Sequence, residues 1–127
     1  MTNLSGKTIL VVDDEAELRE ILREEFEFLG CRVLESENGT RALELLDKES
    51  VNAVISDVRM GGGNGITLLT KIRQRDPEVP IVLLVTGFAD ISKEEAIEQG
   101  ALGLIAKPFQ MDALVKVISD GLRKTAP

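Results

Sequence analysis

The chain has no histidine, no tryptophan and no tyrosine. Without histidine it cannot build a Ser-His-Asp or Cys-His catalytic centre or the commonest zinc sites, and it cannot carry a phosphohistidine of its own. Four phenylalanines are its whole aromatic content, so stacking on bases or sugars has little to draw on. The one cysteine, Cys31, rules out an intrachain disulfide. It opens the stretch "CRVLES" and reads as a small buried filler. No apolar run approaches the roughly 20 residues of a membrane span, and the opening "MTNLSGK" lacks the apolar core of a signal peptide. Positive charge is also scarce: the formal net charge is −7, which opposes binding to nucleic acid. The expectation is a cytoplasmic protein with neither a membrane nor a nucleic acid as partner.

What is present suffices for a core. With 127 residues, 43% of them hydrophobic, the simplest organisation is one domain over residues 1–127 with its core at about 7–124. A chain of this length buries roughly two-thirds of its unfolded surface.

The apolar pattern alternates between two periods. "KTILVVDD", "VNAVISD" and "VPIVLLVTG" are continuous β-rich runs, as expected of strands buried on both faces, and "CRVLES" and "LGLIAKP" are shorter ones. Helical stripes separate them. Leu18, Ile21, Leu22, Phe26 and Leu29 form the first, closed by Gly30. Ala42, Leu45 and Leu46 mark the second. Ile66, Leu69 and Ile72 mark the third, which stops before Pro77. "DISKEEAIEQG" is a polar fourth helix closed by Gly100. Met111, Leu114, Val115, Ile118 and Leu122 define the last, with Val117 off its stripe and "RKTAP" as a fraying tail. Five strand–helix units imply an α/β fold with a parallel sheet between two layers of helices.

Ligands of such sheets bind outside the carboxyl ends of the strands. There the first strand delivers Asp13 and Asp14, the third Asp57, the fourth Thr86 and the fifth Lys107. Singly, each has an ordinary structural role; Asp13 or Asp14, for instance, suits a helix N-cap. Together they form a rim with three carboxylates, and three carboxylates need a proton or a cation. A hard divalent ion such as Mg²⁺ fits oxygen donors. Asp13 and Asp14 both reach it only because the strand ends there, one of them through a water. Lys107 and Thr86 would be redundant around a bare ion but suit a phosphoryl group, as point charge and donor. A carboxylate can also attack phosphorus and become an aspartyl phosphate.

"ILVVDDE", "VISDVRM", "LLVTG" and "AKPF" resemble the four signatures of the response-regulator receiver domain of two-component signalling, with a stand-alone chemotaxis-regulator-like length. The resemblance implies a flavodoxin-like five-stranded parallel sheet of order 2-1-3-4-5. It implies a phosphorylation-dependent switch and not a turnover enzyme. Asp57 would accept a phosphoryl group from the phosphohistidine of a sensor histidine kinase or phosphotransfer protein. Asp13, Asp14, Asp57 and the backbone carbonyl of Arg59 would hold Mg²⁺. Lys107 would pair with the phosphoryl group and Thr86 would hydrogen-bond it. The Lys107–Pro108 bond would be cis. The output would be a downstream protein target, and the surface of the fourth helix, fifth strand and fifth helix would change and could pair two copies.

Four places depart from the family pattern. Gly61 stands where a proline is usual and Asn64 where an aspartate is. Leu104 replaces the aromatic three residues before the lysine, and Leu102 and Gly103 replace an acidic pair. The glycines of "DVRMGGGNGI" therefore read as a hinge at Gly61–Gly65, mobile until phosphate and metal arrive, and Leu104 puts the threonine–aromatic switch in question. Other readings fail on spacing. "SGKT" precedes a strand and lacks the earlier glycine of a phosphate-binding loop. A haloacid dehalogenase-type phosphatase needs an aspartate where Arg59 stands. A flavin binder has no use for this acidic rim. The remaining alternative is a receiver-fold interaction module that does not switch by phosphorylation.

Overall fold

The computed structural model describes residues 4–60, 63–87 and 91–125. In chain order these form β1 (Thr8–Val12), α1 (Ala16–Phe28), β2 (Arg32–Ser36), α2 (Gly39–Lys48), β3 (Ala53–Asp57), β4 (Arg59–Met60), β5 (Gly63–Asn64), α3 (Gly65–Arg75), β6 (Ile81–Thr86), α4 (Lys93–Glu98), β7 (Gly103–Ala106) and α5 (Met111–Thr125). Five strands make one parallel sheet, in the order β2-β1-β3-β6-β7. Counted without the two-residue strands β4 and β5, this is the expected 2-1-3-4-5, a flavodoxin-like arrangement.

Every residue of β1, β3 and β6 is buried. Their unbroken apolar runs arise because helices cover both sheet faces, so side chains pointing either way leave water. Alternation then sorts the core into two halves. Ile9, Val11, Ile55, Leu83 and Val85 pack with Leu22, Phe26, Leu114 and Ile118 of α1 and α5. Leu10, Val12, Val54, Val82 and Leu84 pack with Ala42, Leu68, Leu69, Ile72 and Ala96 of α2, α3 and α4.

The helix ends follow local chemistry. Asn38 Oδ1 caps α2 by accepting from Arg41 N at 2.8 Å. Ser92 and Glu95 form a reciprocal capping box on α4. Gly30 and Gly100 take φ of +93° and +102° just past α1 and α4, a region open to glycine at no steric cost.

Several expectations shift. Ile21 is 53% exposed, because α1 turns only Leu22 and Phe26 fully inward. Val117 is half-buried and packs on the core, so it is less available to a partner than its position off the stripe suggested. α5 continues through the first three residues of the "RKTAP" tail to Thr125, and residues 126–127 lie outside the described residues. Cys31 is buried as expected, with its thiol donating to Leu4 O at 3.3 Å. Lys107–Pro108 is cis, and so is Val79–Pro80. Gly61 and Gly62 of the supposed hinge lie outside the described residues. Gly63 and Asn64, however, pair antiparallel with Met60 and Arg59. Among the described residues no helix is long and apolar enough to cross a membrane.

Candidate functional site

The sheet register decides what meets at the rim. Val12 lies opposite Ser56, Asp57 opposite Val85, and Thr86 opposite Ala106. Asp13, Asp57, Thr86 and Lys107 therefore leave neighbouring strands at one level. Asp13, Asp57 and Thr86 are buried and Asp14 is exposed.

Lys107 gathers the acids. Its Nζ lies 3.2 Å from Asp13 Oδ2, 3.2 Å from Asp57 Oδ2 and 3.2 Å from Glu15 Oε1. Glu15 is a further member of the site, beside Asp13 and Asp14 in "DDE" but not among the expected rim residues. Its backbone N–H also donates to Asp13 Oδ1 at 2.9 Å. Neither aspartate serves as the N-cap of α1; Glu15 occupies that position without a side-chain cap, because the Asp13 carboxylate is drawn into the site.

Charge and burial compete here. Burial raises the Asp13 carboxyl above its ordinary value. The Glu15 N–H and the Lys107 ammonium pull it back in part, and the Asp57 charge adds to the rise. For Lys107 burial alone acts downward, but the Asp13 and Asp57 carboxylates outweigh it and the net shift is upward. The lysine is thus firmly cationic and serves as the counterion of the buried acids.

Asp13, Asp14, Glu15 and Asp57 can each bring a carboxylate oxygen within 4.8 Å of the others. An all-oxygen donor set of this size could hold a metal and fits a hard divalent cation such as Mg²⁺. Arg59 opens β4 two residues beyond Asp57, with an exposed side chain. Thr86 ends β6, and its carbonyl accepts from Lys107 N at 2.8 Å. Behind Asp57, Asn64 Oδ1 caps α3 by accepting from Ile66 N at 2.7 Å and Thr67 N at 3.0 Å. An apolar groove lined by Leu18, Ile21, Pro108, Phe109 and Met111 opens beside Lys107 and Glu15.

Residues 9–119 match the family described as the response regulator receiver domain. The chain belongs to that family. As a receiver domain it is of a class that acts as regulatory phosphoacceptors, not turnover enzymes, and that interacts with histidine kinases and downstream effectors. It is 39% identical over 113 residues to the C4-dicarboxylate transport transcriptional regulatory protein DctD of Rhizobium meliloti, covering 88% of this chain and 24% of DctD. It is 33% identical over 124 residues to the phosphate regulon transcriptional regulatory protein PhoB of Pseudomonas aeruginosa, covering 96% of this chain and 54% of PhoB. The receiver thus spans less than two thirds of either regulator. Among solved structures, a CheY-like receiver domain protein from Methanospirillum hungatei superposes with a TM-score of 0.86 at 27% identity, over 94% of this chain and 96% of that one. A beryllofluoride-activated DrrB receiver domain superposes with a TM-score of 0.82 at 28% identity, over 93% and 98%.

Proposed function

We propose that this receiver is a phosphorylation-dependent switch in which Asp57 is the phosphoacceptor. The observation that carries the reading is the Lys107 ammonium, 3.2 Å from Asp57 and 3.2 Å from Asp13. An Asp57 carboxylate oxygen attacks the phosphorus of a partner's phosphohistidine. The P–N bond breaks, its electron pair leaves with the imidazole, and the imidazole nitrogen takes up a proton. Asp13, Asp14, Asp57 and the Arg59 carbonyl would hold Mg²⁺, which when bound would supply charge neutralisation for the incoming phosphoryl oxygens.

The chain's own groups do the rest. In the resting state Lys107 fixes the Asp57 carboxylate. Once that oxygen carries the phosphoryl group as an acyl phosphate, the ammonium is free to pair with a phosphoryl oxygen, and the Thr86 hydroxyl donates to another. Attack of water on the phosphorus returns the free carboxylate and inorganic phosphate. The groove beside Lys107 is where a kinase or phosphotransfer protein approaches, and the surface of α4, β7 and α5 carries the change to a downstream protein or a second copy. A single receiver domain over residues 1–127, acting in the cytoplasm and not itself touching nucleic acid or membrane, completes the proposal.

Incubation with Mg²⁺ and acetyl phosphate tests it. A mass gain of one phosphoryl group is expected for the native chain and none for Asp57→Asn. No gain from acetyl phosphate or from a cognate kinase would favour the second reading, an interaction module without a phosphorylation switch. Leu104 is the observation on that side. It is half-buried and packs on the α2–α4 half of the core, so no aromatic ring is available at that place to turn inward behind Thr86.

A further inference from the structure

Each hydrogen-bonding group of Asp13 has a partner. Its N–H donates to Ser36 O at 3.1 Å, Oδ1 accepts from Glu15 N, and Oδ2 accepts from Lys107. Its carbonyl accepts from Arg19 Nη1 at 2.7 Å. The same guanidinium donates through Nε to Glu35 Oε1 at 3.2 Å, and the other Glu35 oxygen accepts from Arg23. Arg19 therefore bridges the exit of β1 and a side chain of β2. With 18% of its side chain exposed, it is well shielded from water. An ion pair that served only to join α1 to β2 would need Glu35 alone. The bond to Asp13 O engages a second edge of the planar fork, which an arginine can do and a lysine cannot.

We propose that Arg19 is a positioning residue for the cation site. It holds the Asp13 peptide in place and so sets where the Asp13 and Asp14 carboxylates stand relative to Asp57. This rests on the divalent-cation reading above. The role runs against Arg19's own charge, because a cation beside an acidic cluster repels a second cation. Electrostatics and positioning thus predict opposite signs for its removal.

The test is a titration of Mg²⁺ into the unphosphorylated native chain, Arg19→Met and Arg19→Lys, followed by the amide NMR signals of residues 13–15. Thermal unfolding checks that each variant is folded. Arg19→Met is expected to weaken Mg²⁺ binding about 3- to 10-fold, less than the roughly 10- to 100-fold typical of direct hydrogen-bond partners of metal ligands. Arg19→Lys keeps the charge but loses one of the two bonds, and a smaller weakening is expected. Unchanged or tighter binding by folded Arg19→Met overturns the proposal. If that variant does not fold, Arg19→Lys decides: weakened binding supports the role and native affinity overturns it. Failure of the native chain to bind Mg²⁺ sinks the cation reading and takes the Arg19 role with it, whereas native binding with insensitive variants sinks Arg19 alone.

Discussion

Gly65 stands against the carbonyl of Asp57: a Cβ built on Gly65 would lie 2.3 Å from that oxygen. The first residue of α3 and the last residue of β3 are therefore in backbone contact. Gly65 N also donates to Val58 O at 2.8 Å. The two atoms of Asp57 that a methyl group here would meet are main chain and cannot turn aside, and the Ser56 hydroxyl stands 3.1 Å away. Gly65→Ala is expected to destabilise the fold by about 1–3 kcal/mol, in the range of overpacking substitutions. Urea unfolding checks this. Because the displaced group belongs to Asp57, slower labelling by acetyl phosphate should accompany the loss.

Lys107→Met removes the counterion of two buried carboxylates. Complete burial would make such a loss cost about 3–5 kcal/mol. The lysine side chain is 20% exposed and its partner Glu15 65% exposed, so about 1–3 kcal/mol is expected in the absence of divalent ions. Millimolar Mg²⁺ should shrink the deficit by supplying the missing charge. Thermal unfolding with and without Mg²⁺ checks both parts; a deficit that does not respond to Mg²⁺ would count against a shared site.

The raised Asp13 carboxyl fixes the sign of a pH effect. Its folded value lies above the ordinary 3.8, so the stabilisation it contributes is full below that pH and is lost as pH rises through the folded value. The surface carboxyls Asp76 and Asp120 are shifted the other way, Asp76 by backbone N–H bonds and Asp120 by Lys116. A bare stability curve therefore mixes both signs. The native curve minus that of Asp13→Asn isolates the first, and in Mg²⁺-free buffer that difference should fall as pH rises above the ordinary 3.8.

Burial pushes the Cys31 thiol up to about 11. At pH 8 almost none of it is thiolate, and the thiolate is the nucleophile. Alkylation by iodoacetamide should be slow in the folded chain and fast in urea. Equal rates would mean that the segment around Leu4 and Cys31 opens readily.

Much of the fold was legible because parallel strands under two helical layers need unbroken apolar runs. β1, β3 and β6 follow from such runs alone. The rim residues followed from where those runs stop, and register brings Asp13, Asp57 and Lys107 together. Other features depend on neighbours that no local pattern announces. Ile21 fits the α1 stripe by spacing, but only packing reveals that it lies beyond the edge of the core. Glu15 stands beside the two aspartates in the sequence, but its part in the site depends on Lys107, 92 residues away. The ribbon of β4 and β5 is too short to leave a periodic signal. Gly65 read as freedom, whereas the structure requires it for want of space.

The sheet order has a consequence for native-state dynamics. Asp57 leaves β3, the central strand, while Lys107 follows β7, one of the two margins. An edge strand has a ladder on one side only and is the kind of element that detaches at less than the global free energy. Partial opening at that margin removes the ammonium and leaves the acids in place. Hydrogen exchange in β7 thus reports how often the resting domain presents a bare anionic cup, a short-lived species that the static fold does not display.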